Sequence, residues 1–402
     1  MEPVIGIAAE YNPFHRGHEY HIAHSREKLG GGTVVCVMSG SFVQRGEPAV
    51  FRKHARAEAA LHGGADLVLE LPLPWALSSA EGFARGCVGI LGALGVVTHM
   101  SFGAECAETE KLSALSAALL DPAVDAAVLE ELEAGDSYAA ARQRALQRTV
   151  GGELAELIRT PNNILGVEYC KAIFQQHLAM EPLAVGRIGA GHDSVSRTEG
   201  VLSASALRTM LGEGKNIFAL LPEGAAAVFA EEMRQGRGPV TVEALETAVL
   251  SRLRCCTEAD FAALPDAAEG LENRLFRAAQ SEPGLDEIIA AAATKRYPLA
   301  RERRMLMCAA LGLRKGMADG IPPYARVLAA NEAGLALLGR IREKSRIPVL
   351  TKPAAVRELD ERAQSVFALG AAAEDLYALG FTARQERRGG SDWRQSPVII
   401  KE

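Results

Sequence analysis

Two histidines near the start of the chain have the type and spacing needed to handle phosphate. His15 and His18 lie in the string P-F-H-R-G-H at residues 13–18, which follows an apolar run and opens a helical pattern. Side chains three residues apart on a helix lie on the same side. The helix N-terminus adds unpaired N–H groups and positive partial charge. The arrangement predicts a site where both imidazoles stabilise charge as an α-phosphorus is attacked and pyrophosphate leaves.

His21 and His24 continue the three-residue spacing, a pattern that also suggests a metal site. Each such step on a helix rotates the side chain backwards by about 60°, so His15 and His24 face nearly opposite directions. One ion cannot contact all four imidazoles. We therefore expect no protein-bound metal here, and no other spacing typical of a metal site is visible.

The elements that must position these histidines are predicted by four unbroken apolar runs separated by helical patterns. The runs lie at residues 4–9, 33–38, 66–71 and 96–102. Such runs are typical of parallel strands buried on both faces. We expect an α/β fold with a Rossmann-like doubly wound parallel sheet in residues 1–230. From about residue 235, apolar spacings of three to four predict a mainly helical domain at 231–402, with one strand near 347–350.

Composition limits the classes of function. The 402 residues carry 44 Lys+Arg and 50 Asp+Glu, a net charge of −6, which excludes a uniformly basic nucleic-acid-binding surface. Local clusters must therefore carry any RNA contact. No apolar run reaches the ~18 residues of a membrane helix, so we expect no membrane partner. The seven cysteines are scattered without a C-x-x-C pair, a pattern typical of reduced thiols in the cytoplasm.

Longer strings extend the histidine motif. G-I-A-A-E-Y-N-P-F-H-R-G-H spans residues 6–18, and M-S-G-S-F-V-Q-R-G-E-P-A spans residues 38–49. Further strings of this kind lie at residues 66–72, 101–105, 161–166, 294–297 and 324–328. Over most of the chain, these strings resemble the bacterial tRNA(Met) cytidine acetate ligases, within the H-x-G-H nucleotidyltransferase superfamily.

The resemblance implies an ATP-dependent ligase. That family activates acetate as acetyl-adenylate and acetylates N4 of the wobble cytidine of elongator tRNA(Met), releasing pyrophosphate and AMP. The implied partners are acetate and that tRNA, with no DNA, and Mg²⁺ is expected on the ATP phosphates. The implied catalytic residues are His15 and His18. The implied ATP contacts are Ile7, Ala8, Ala9, Glu10, Tyr11, Asn12, Pro13, Phe14, His15, Arg16, Gly17, His18, Glu19, Tyr20, Gly103, Asn162, Arg187 and Ile188.

Residue types at three of these positions agree with a nucleotide site. Gly103 and Arg187 follow predicted strands, at the edge where open α/β sheets bind ligands. The alternatives are an ordinary strand-ending glycine and an arginine paired with a nearby carboxylate. Asn162 and Asn163 precede an apolar helix start. We expect one of them to cap that helix, while the Asn162 amide could instead bind the adenine edge or a ribose hydroxyl.

Ser203, Ser205 and Arg208 open another predicted helix after a strand and a loop. This start resembles the serine-containing helix of many adenylyltransferases. There, hydroxyls and helix N–H groups can hold the β- and γ-phosphates while an arginine neutralises charge. The alternative is a serine N-cap with an exposed arginine.

Two basic clusters stand out against the acidic total. The first, our predicted tRNA contact, comprises Lys295, Arg296, Arg301, Arg303 and Arg304, with Arg326 as an extension. The second comprises Arg340, Arg342, Lys344, Arg346 and Lys352. Such charge can follow RNA phosphates, and solvated helix faces are the alternative.

Two other functions remain open at this point. A small-molecule adenylyltransferase or ligase on the same fold would make a dinucleotide or an amide, and it would have no use for basic helical clusters. A nucleotide-sensing protein would bind ATP without releasing pyrophosphate.

Overall fold

The computed structural model describes residues 2–134, 138–187, 202–294 and 297–401. The strands are β1 (Val4–Ala9), β2 (Thr33–Ser39), β3 (Phe42–Val43), β4 (Glu47–Pro48), β5 (Leu67–Leu71), β6 (His99–Ala104), β7 (Glu181–Gly186), β8 (Ala325–Ala330), β9 (Val349–Leu350) and β10 (Val398–Ile399). The helices of the first half are α1 (Arg16–Leu29), α2 (Lys53–His62), α3 (Leu73–Ala76), α4 (Ala80–Ala93), α5 (Thr109–Ala118), α6 (Pro122–Glu133), α7 (Tyr138–Val150), α8 (Gly152–Glu156), α9 (Pro161–Gln175), α10 (Ala204–Gly212) and α11 (Glu223–Arg234). Those of the second half are α12 (Val242–Arg254), α13 (Glu258–Ala262), α14 (Leu271–Ser281), α15 (Leu285–Ala292), α16 (Leu299–Leu311), α17 (Glu332–Lys344) and α18 (Glu361–Ala378).

The main sheet confirms the predicted parallel α/β fold. Its strands follow the order β10-β8-β5-β2-β1-β6-β7, with β9 paired to β8 off this path. From β5 to β7 all neighbours are parallel. The register places Ile7 of β1 opposite Cys36 of β2 and Ser101 of β6. The carboxyl ends of these strands therefore meet at one edge, where the histidine turn begins.

Alternate residues of the central strands enter two different cores. Val35 and Val37 of β2 pack in a core with α4, α9 and α17. Val34 and Cys36 pack in another with α2, α10 and α11. Because successive strand residues point to opposite faces, helices cover both sides of the sheet. This double burial explains why the strand sequences are unbroken apolar runs.

A third core lies among the helices of the second half. Leu253 of α12, Phe261 of α13 and Leu275 of α14 are buried there with residues of α15, α16 and α18. Phe42 of β3 joins this core, so the short β3–β4 hairpin packs against the helices. The mainly helical character predicted for the second half is confirmed for this core.

The second half also contributes strands to the sheet. β8 runs antiparallel to β5, and β9 and β10 pair with β8 in parallel. The strand predicted near residues 347–350 is confirmed as β9, but β8 was not predicted. Its alanines and Arg326 favour a helix by propensity alone, and pairing with β5 overrides that preference. The halves thus share one sheet, and a domain boundary at residues 230/231 stays a prediction.

Among the described residues no single helix is long and apolar enough to cross a membrane, and only α5 and α6, bent by 71°, pass that test as a pair. All seven cysteines are free. Burial raises the pKa of the Cys36 and Cys308 thiols to about 12, which keeps them protonated.

Candidate active site

The turn between β1 and α1 is fixed by a hydrogen bond and by packing. The Asn12 side chain accepts a hydrogen bond from the Val50 N–H at 2.8 Å, and the Phe14 ring is fully buried. A Cβ on Gly63 would lie 2.1 Å from Phe14 Cζ, so the end of α2 can accept this ring only because residue 63 is glycine. The turn therefore delivers His15 to the start of α1 in a defined position.

His15 and His18 cap the N-terminus of α1. His15 Nδ1 accepts a hydrogen bond from the Gly17 N–H at 3.0 Å, and His18 Nδ1 accepts one from the His15 N–H at 3.3 Å. The two rings stack with their centroids 3.8 Å apart. A neutral imidazole whose Nδ1 is an acceptor carries its proton on Nε2. Each ring therefore has an Nε2–H that can donate to a ligand.

Both imidazoles are neutral near pH 7. Burial, together with the charges of Arg187 and Arg208, lowers the pKa of His15 from 6.5 to about 4. Burial also holds the pKa of His18 well below its ordinary value, and His15, His21 and Arg187 act in the same direction. The histidines can thus supply hydrogen bonds to phosphate while the arginines supply positive charge.

Two arginines reach this turn from other elements. Arg187 follows β7 and is exposed, and it lies close enough to affect the pKa of His15 and His18. Arg208 of α10 donates a hydrogen bond to the Asn12 carbonyl oxygen at 3.0 Å. The structure thus brings together the predicted residues of the histidine turn, the end of β7 and α10.

The start of α10 agrees in part with both predicted roles, an N-cap and a phosphate-binding helix start. Ser203 is the N-cap, and its hydroxyl accepts a hydrogen bond from the Ala206 N–H at 3.2 Å. Ser205 is exposed. Arg208 is half-buried against the histidine turn, which contradicts the alternative of an exposed arginine.

Glu105, directly after β6, holds the start of α9 at the carboxyl edge of the sheet. Its Oε1 accepts from Asn162 Nδ2 at 2.5 Å, and its Oε2 accepts from the Asn163 N–H at 2.9 Å. Partial burial acts to raise the pKa of Glu105, but hydrogen bonds from Asn162 and the Asn163 backbone hold it below its ordinary value. The predicted capping of α9 by an asparagine side chain is wrong, because the Glu105 carboxylate takes that role.

The Asn162 side chain also joins this carboxylate to a predicted ATP contact. Its Oδ1 accepts a hydrogen bond from Arg187 Nη1 at 3.0 Å. Among the described residues, Arg187 is joined to the Glu105 carboxylate through this amide rather than by a direct ion pair. Asn163 has a structural role, since its Oδ1 accepts from the Cys106 N–H at 2.9 Å.

Several residues of the predicted ATP segment have side chains in the core. Ile7, Tyr11 and Phe14 are buried, and the Tyr11 hydroxyl lies 3.2 Å from Cys36 Sγ. They can reach a nucleotide only through their backbone. Half-buried or exposed members of the segment are Ala8, Glu10, Arg16, Gly17, His18, Glu19 and Tyr20. Ile188, a further predicted contact, lies outside the described residues.

The two outer histidines of α1 have partners of their own. His21 Nε2 lies 2.9 Å from Ser101 Oγ of β6, and burial lowers the pKa of His21 to about 4. His24 Nδ1 lies 3.0 Å from Glu27 Oε2. The His21 contact links α1 to β6, whereas the His24 contact lies within α1.

A buried arginine that sequence reasoning missed holds the carboxyl ends of β1 and β2. Arg56 of α2 is fully buried and donates hydrogen bonds to the carbonyl oxygens of Glu10, Ser39, Gly40 and Phe51. It fixes the backbone where both strands end. An arginine within an alanine-rich helical pattern carries no sequence signal of this burial.

Two arginines predicted to bind RNA are internal. Arg304 is buried and pairs with Asp266 at 2.6 Å. Arg326 is 3% exposed and pairs with Glu70 at 3.1 Å and Asp392 at 2.8 Å. The prediction of RNA contact is wrong for Arg304 and Arg326, because internal carboxylates hold both guanidinium groups away from solvent.

Two others remain at the surface, where RNA contact stays a prediction. Arg301 lies 3.2 Å from Glu269, and Arg303 lies 2.7 Å from Glu47 of β4. The members of this cluster that lie outside the described residues are Lys295 and Arg296.

The end of α17 and Arg346, which belong to the second basic cluster, lie at the opposite edge of the sheet. The Arg346 N–H donates to the Ala93 carbonyl oxygen at 2.8 Å, and a Cβ on Gly95 would lie 2.7 Å from the Lys344 carbonyl oxygen. Residues 93–95 precede β6, whose amino end is at this edge. The α17 residues of the cluster are therefore separated from the histidine turn by the length of the sheet.

Fold and site together define a class of protein. A parallel α/β sheet leads from its first strand into an H-x-G-H turn, with two stacked imidazoles at a helix N-terminus. Over residues 1–392 the chain matches the family described as HIGH Nucleotidyl Transferase. It is therefore a member of this nucleotidyltransferase class.

Full-length relatives narrow the class further. The chain is 35% identical to the tRNA(Met) cytidine acetate ligase of Acetivibrio thermocellus, over 99% of this chain and 100% of that one. It is 34% identical to the ligase of the same name from Thermosipho africanus, over 99% of each chain. The crystal structure of Thermotoga maritima TmcAL bound with α-thio ATP matches all of both chains with a TM-score of 0.93 and 31% identity. The chain belongs to the tRNA(Met) cytidine acetate ligase family.

Proposed function

We propose that this chain uses ATP to activate acetate as acetyl-adenylate and then acetylates N4 of the wobble cytidine of elongator tRNA(Met). Its relatives are named for joining acetate to a cytidine of tRNA(Met), and a relative of the same fold binds an ATP analogue. The observation that carries the proposal is the stacked pair of neutral imidazoles under the influence of Arg187 and Arg208. Together, these hydrogen-bond donors and positive charges would stabilise the negative charge that develops on the phosphate chain during the reaction.

In the first step, an acetate oxygen attacks the α-phosphorus and the bond to the bridging oxygen breaks, releasing pyrophosphate. The Nε2–H groups of His15 and His18 donate to phosphate oxygens, and Arg187 and Arg208 offset the negative charge. This step depends on positioning and charge stabilisation, so it needs no protein nucleophile.

In the second step, the cytidine N4 attacks the acetyl carbonyl carbon. The bond from that carbon to the phosphate oxygen breaks, AMP leaves, and N4 loses a proton. The acceptor base must therefore approach the carboxyl edge of the sheet, where the adenylate is formed.

A steric argument supports the proposal that Gly103 belongs to the nucleotide site. It lies at the end of β6, and a Cβ there would meet nothing closer than Arg187 Cγ at 3.5 Å, an ordinary contact distance. The protein alone does not require glycine at this position. Close approach of a bound nucleotide supplies the reason for it.

We expect Mg²⁺ to enter the site on the ATP phosphates, since it prefers oxygen ligands and keeps several waters. Within the described ranges no group of three or more His, Cys, Asp or Glu side chains could hold a metal. The hydroxyls of Ser203 and Ser205 would face the β- and γ-phosphates. Because the proposed substrate is a tRNA, we propose that the reaction takes place in the cytoplasm.

Mass spectrometry of tRNA incubated with the enzyme, ATP and isotopically labelled acetate tests the proposal. We expect label in the wobble cytidine of elongator tRNA(Met) alone. Pyrophosphate release with no label in RNA would favour a small-molecule ligase. ATP binding without pyrophosphate release would favour a nucleotide sensor.

A further inference from the structure

The hairpin formed by β3 and β4 lies beside the nucleotide site. The Gln44 N–H at its tip donates to Glu10 Oε1 at 2.8 Å, and Gln44 Nε2 donates to the Ser78 carbonyl oxygen at 3.3 Å. Glu10 directly follows β1 and leads into the histidine turn. The tip of the hairpin is therefore one hydrogen bond away from the segment that carries the catalytic imidazoles.

The other side of the same tip packs against α16. Gly46 has φ +79°, and a Cβ there would lie 2.4 Å from the Arg304 backbone nitrogen. Glu47 pairs with Arg303 at 2.7 Å. The tip is thus fixed between the nucleotide site and the helix that carries the surface arginines of the first basic cluster.

Arg45 is the exposed residue of this tip. Its neighbours are half-buried Gln44 and buried Gly46, and among the described residues Arg45 has no hydrogen bond or ion pair. Burial raises the pKa of the Glu10 carboxyl, and the Arg45 charge is among those that oppose this rise. The packed hairpin therefore presents an exposed guanidinium at the carboxyl edge of the sheet, close enough for its charge to act on Glu10.

We propose that Arg45 binds a backbone phosphate of the RNA next to the acceptor cytidine and so positions the base over the adenylate. A guanidinium can hold a phosphate through two parallel hydrogen bonds. Its place suits this role because the hairpin lies between Glu10 and α16, so RNA that approaches the carboxyl edge from the side of α16 would pass over Arg45. The inference rests on the proposed function and adds a residue to it.

The test compares Arg45→Ala and Arg45→Lys with wild type and with Arg340→Ala as a matched control. Arg340 is an exposed arginine of α17, at the far edge of the sheet. Two reactions are measured: acetate-dependent ATP–pyrophosphate exchange without RNA, and acetylation of elongator tRNA(Met) over a range of salt. Thermal melting checks that the variants are folded.

For Arg45→Ala we expect ATP–pyrophosphate exchange at the wild-type rate. The KM for tRNA should rise at least about tenfold, because one phosphate contact is lost. The slope of log(kcat/KM) against log salt should fall by about one. Arg45→Lys should recover part of the loss, and Arg340→Ala should match wild type.

Unchanged tRNA kinetics in Arg45→Ala would overturn the inference and leave the proposed function intact. Loss of exchange in that variant would also overturn it, because it would place Arg45 at the ATP. A wild type that exchanges pyrophosphate but acetylates no tRNA would remove the proposed function itself.

Discussion

The histidine turn and the arginines predicted to bind RNA differ in where their partners lie along the chain. His15 and His18 are held by backbone N–H groups two and three residues away. Arg326 is held by Glu70, 256 residues away, and by Asp392. A site built from local contacts can be recognised in a sequence. A run of basic residues gives no sign of the carboxylates that the fold brings to it.

Position also separates the two basic clusters. The cluster on α17 is exposed but lies at the amino edge of the sheet, whereas Arg303 lies beside the hairpin that contacts Glu10. Arg45 belongs to neither cluster, and its side chain is exposed at the tip of that hairpin. If the proposed reaction takes place at the carboxyl edge, distance from that edge is a criterion for RNA contact that a count of charges does not give.

The largest effect, on the free energy of unfolding, should come from Arg326→Ala, because Arg326 has a structural role. The change removes a cation from a buried network with Lys53, Glu70 and Asp392. Breaking a buried pair costs about 3–5 kcal/mol, which urea denaturation would measure as a lower free energy of unfolding. The control Arg303→Ala removes a partly exposed pair and should cost no more than about 1 kcal/mol. Equal losses in the two variants would contradict the structural role of Arg326.

The next effect is on chemistry rather than stability. His18→Ala removes an Nε2–H donor from the phosphate site, so acetate-dependent ATP–pyrophosphate exchange should fall by about 10²–10³-fold. His24→Ala changes the same helix at a position paired with Glu27, and it should retain most of the exchange rate. Equal rates in the two variants would show that the histidine turn is not the site of adenylation.

A smaller effect follows from the lowered pKa of His15. Between pH 6.5, the ordinary pKa, and about 4, its value in the folded protein, the unfolded chain binds a proton that the folded chain does not. The unfolding free energy therefore rises with pH across this window. The part of it that comes from neutral His15 is lost as the pH falls from 6.5 to about 4. His15→Asn keeps an N-cap residue but not the titration, so its stability should change less with pH. Urea denaturation at several pH values compares the two slopes, and identical slopes would contradict the burial of a neutral His15.

The smallest effect concerns Gly103→Ala. The protein can accept this Cβ, but we expect that a nucleotide packed against β6 would clash with it. A steric penalty of about 1 kcal/mol would raise the KM for ATP roughly fivefold without lowering the melting temperature. In the control Gly6→Ala, the Cβ would lie 2.7 Å from Leu91 Cδ1, so that variant should lose stability. An unchanged KM for ATP in Gly103→Ala would remove this residue from the nucleotide site.

The fold could be predicted where burial leaves a local pattern. β1, β2, β5 and β6 were recognised because strands buried on both faces consist of unbroken apolar runs. β8 was missed because its alanines and Arg326 favour a helix until β5 pairs with it.

The same distinction holds in the site. The H-x-G-H spacing was recognisable because a helix N-terminus is built from neighbouring residues. Glu105 and Arg56 were missed, and the asparagine cap of α9 was wrong, because their partners come from other segments. The string F-G-A-E at the end of β6 was visible, but nothing in it indicated that Glu105 caps α9.

The central claim is that His15 and His18 bind the phosphate chain of ATP through their Nε2–H groups. A crystal structure of this chain with a non-hydrolysable ATP analogue tests it most directly. We predict that Nε2 of both rings lies about 2.7–3.2 Å from oxygens of the α- or β-phosphate. A triphosphate bound elsewhere, with both rings turned away from it, would contradict the account.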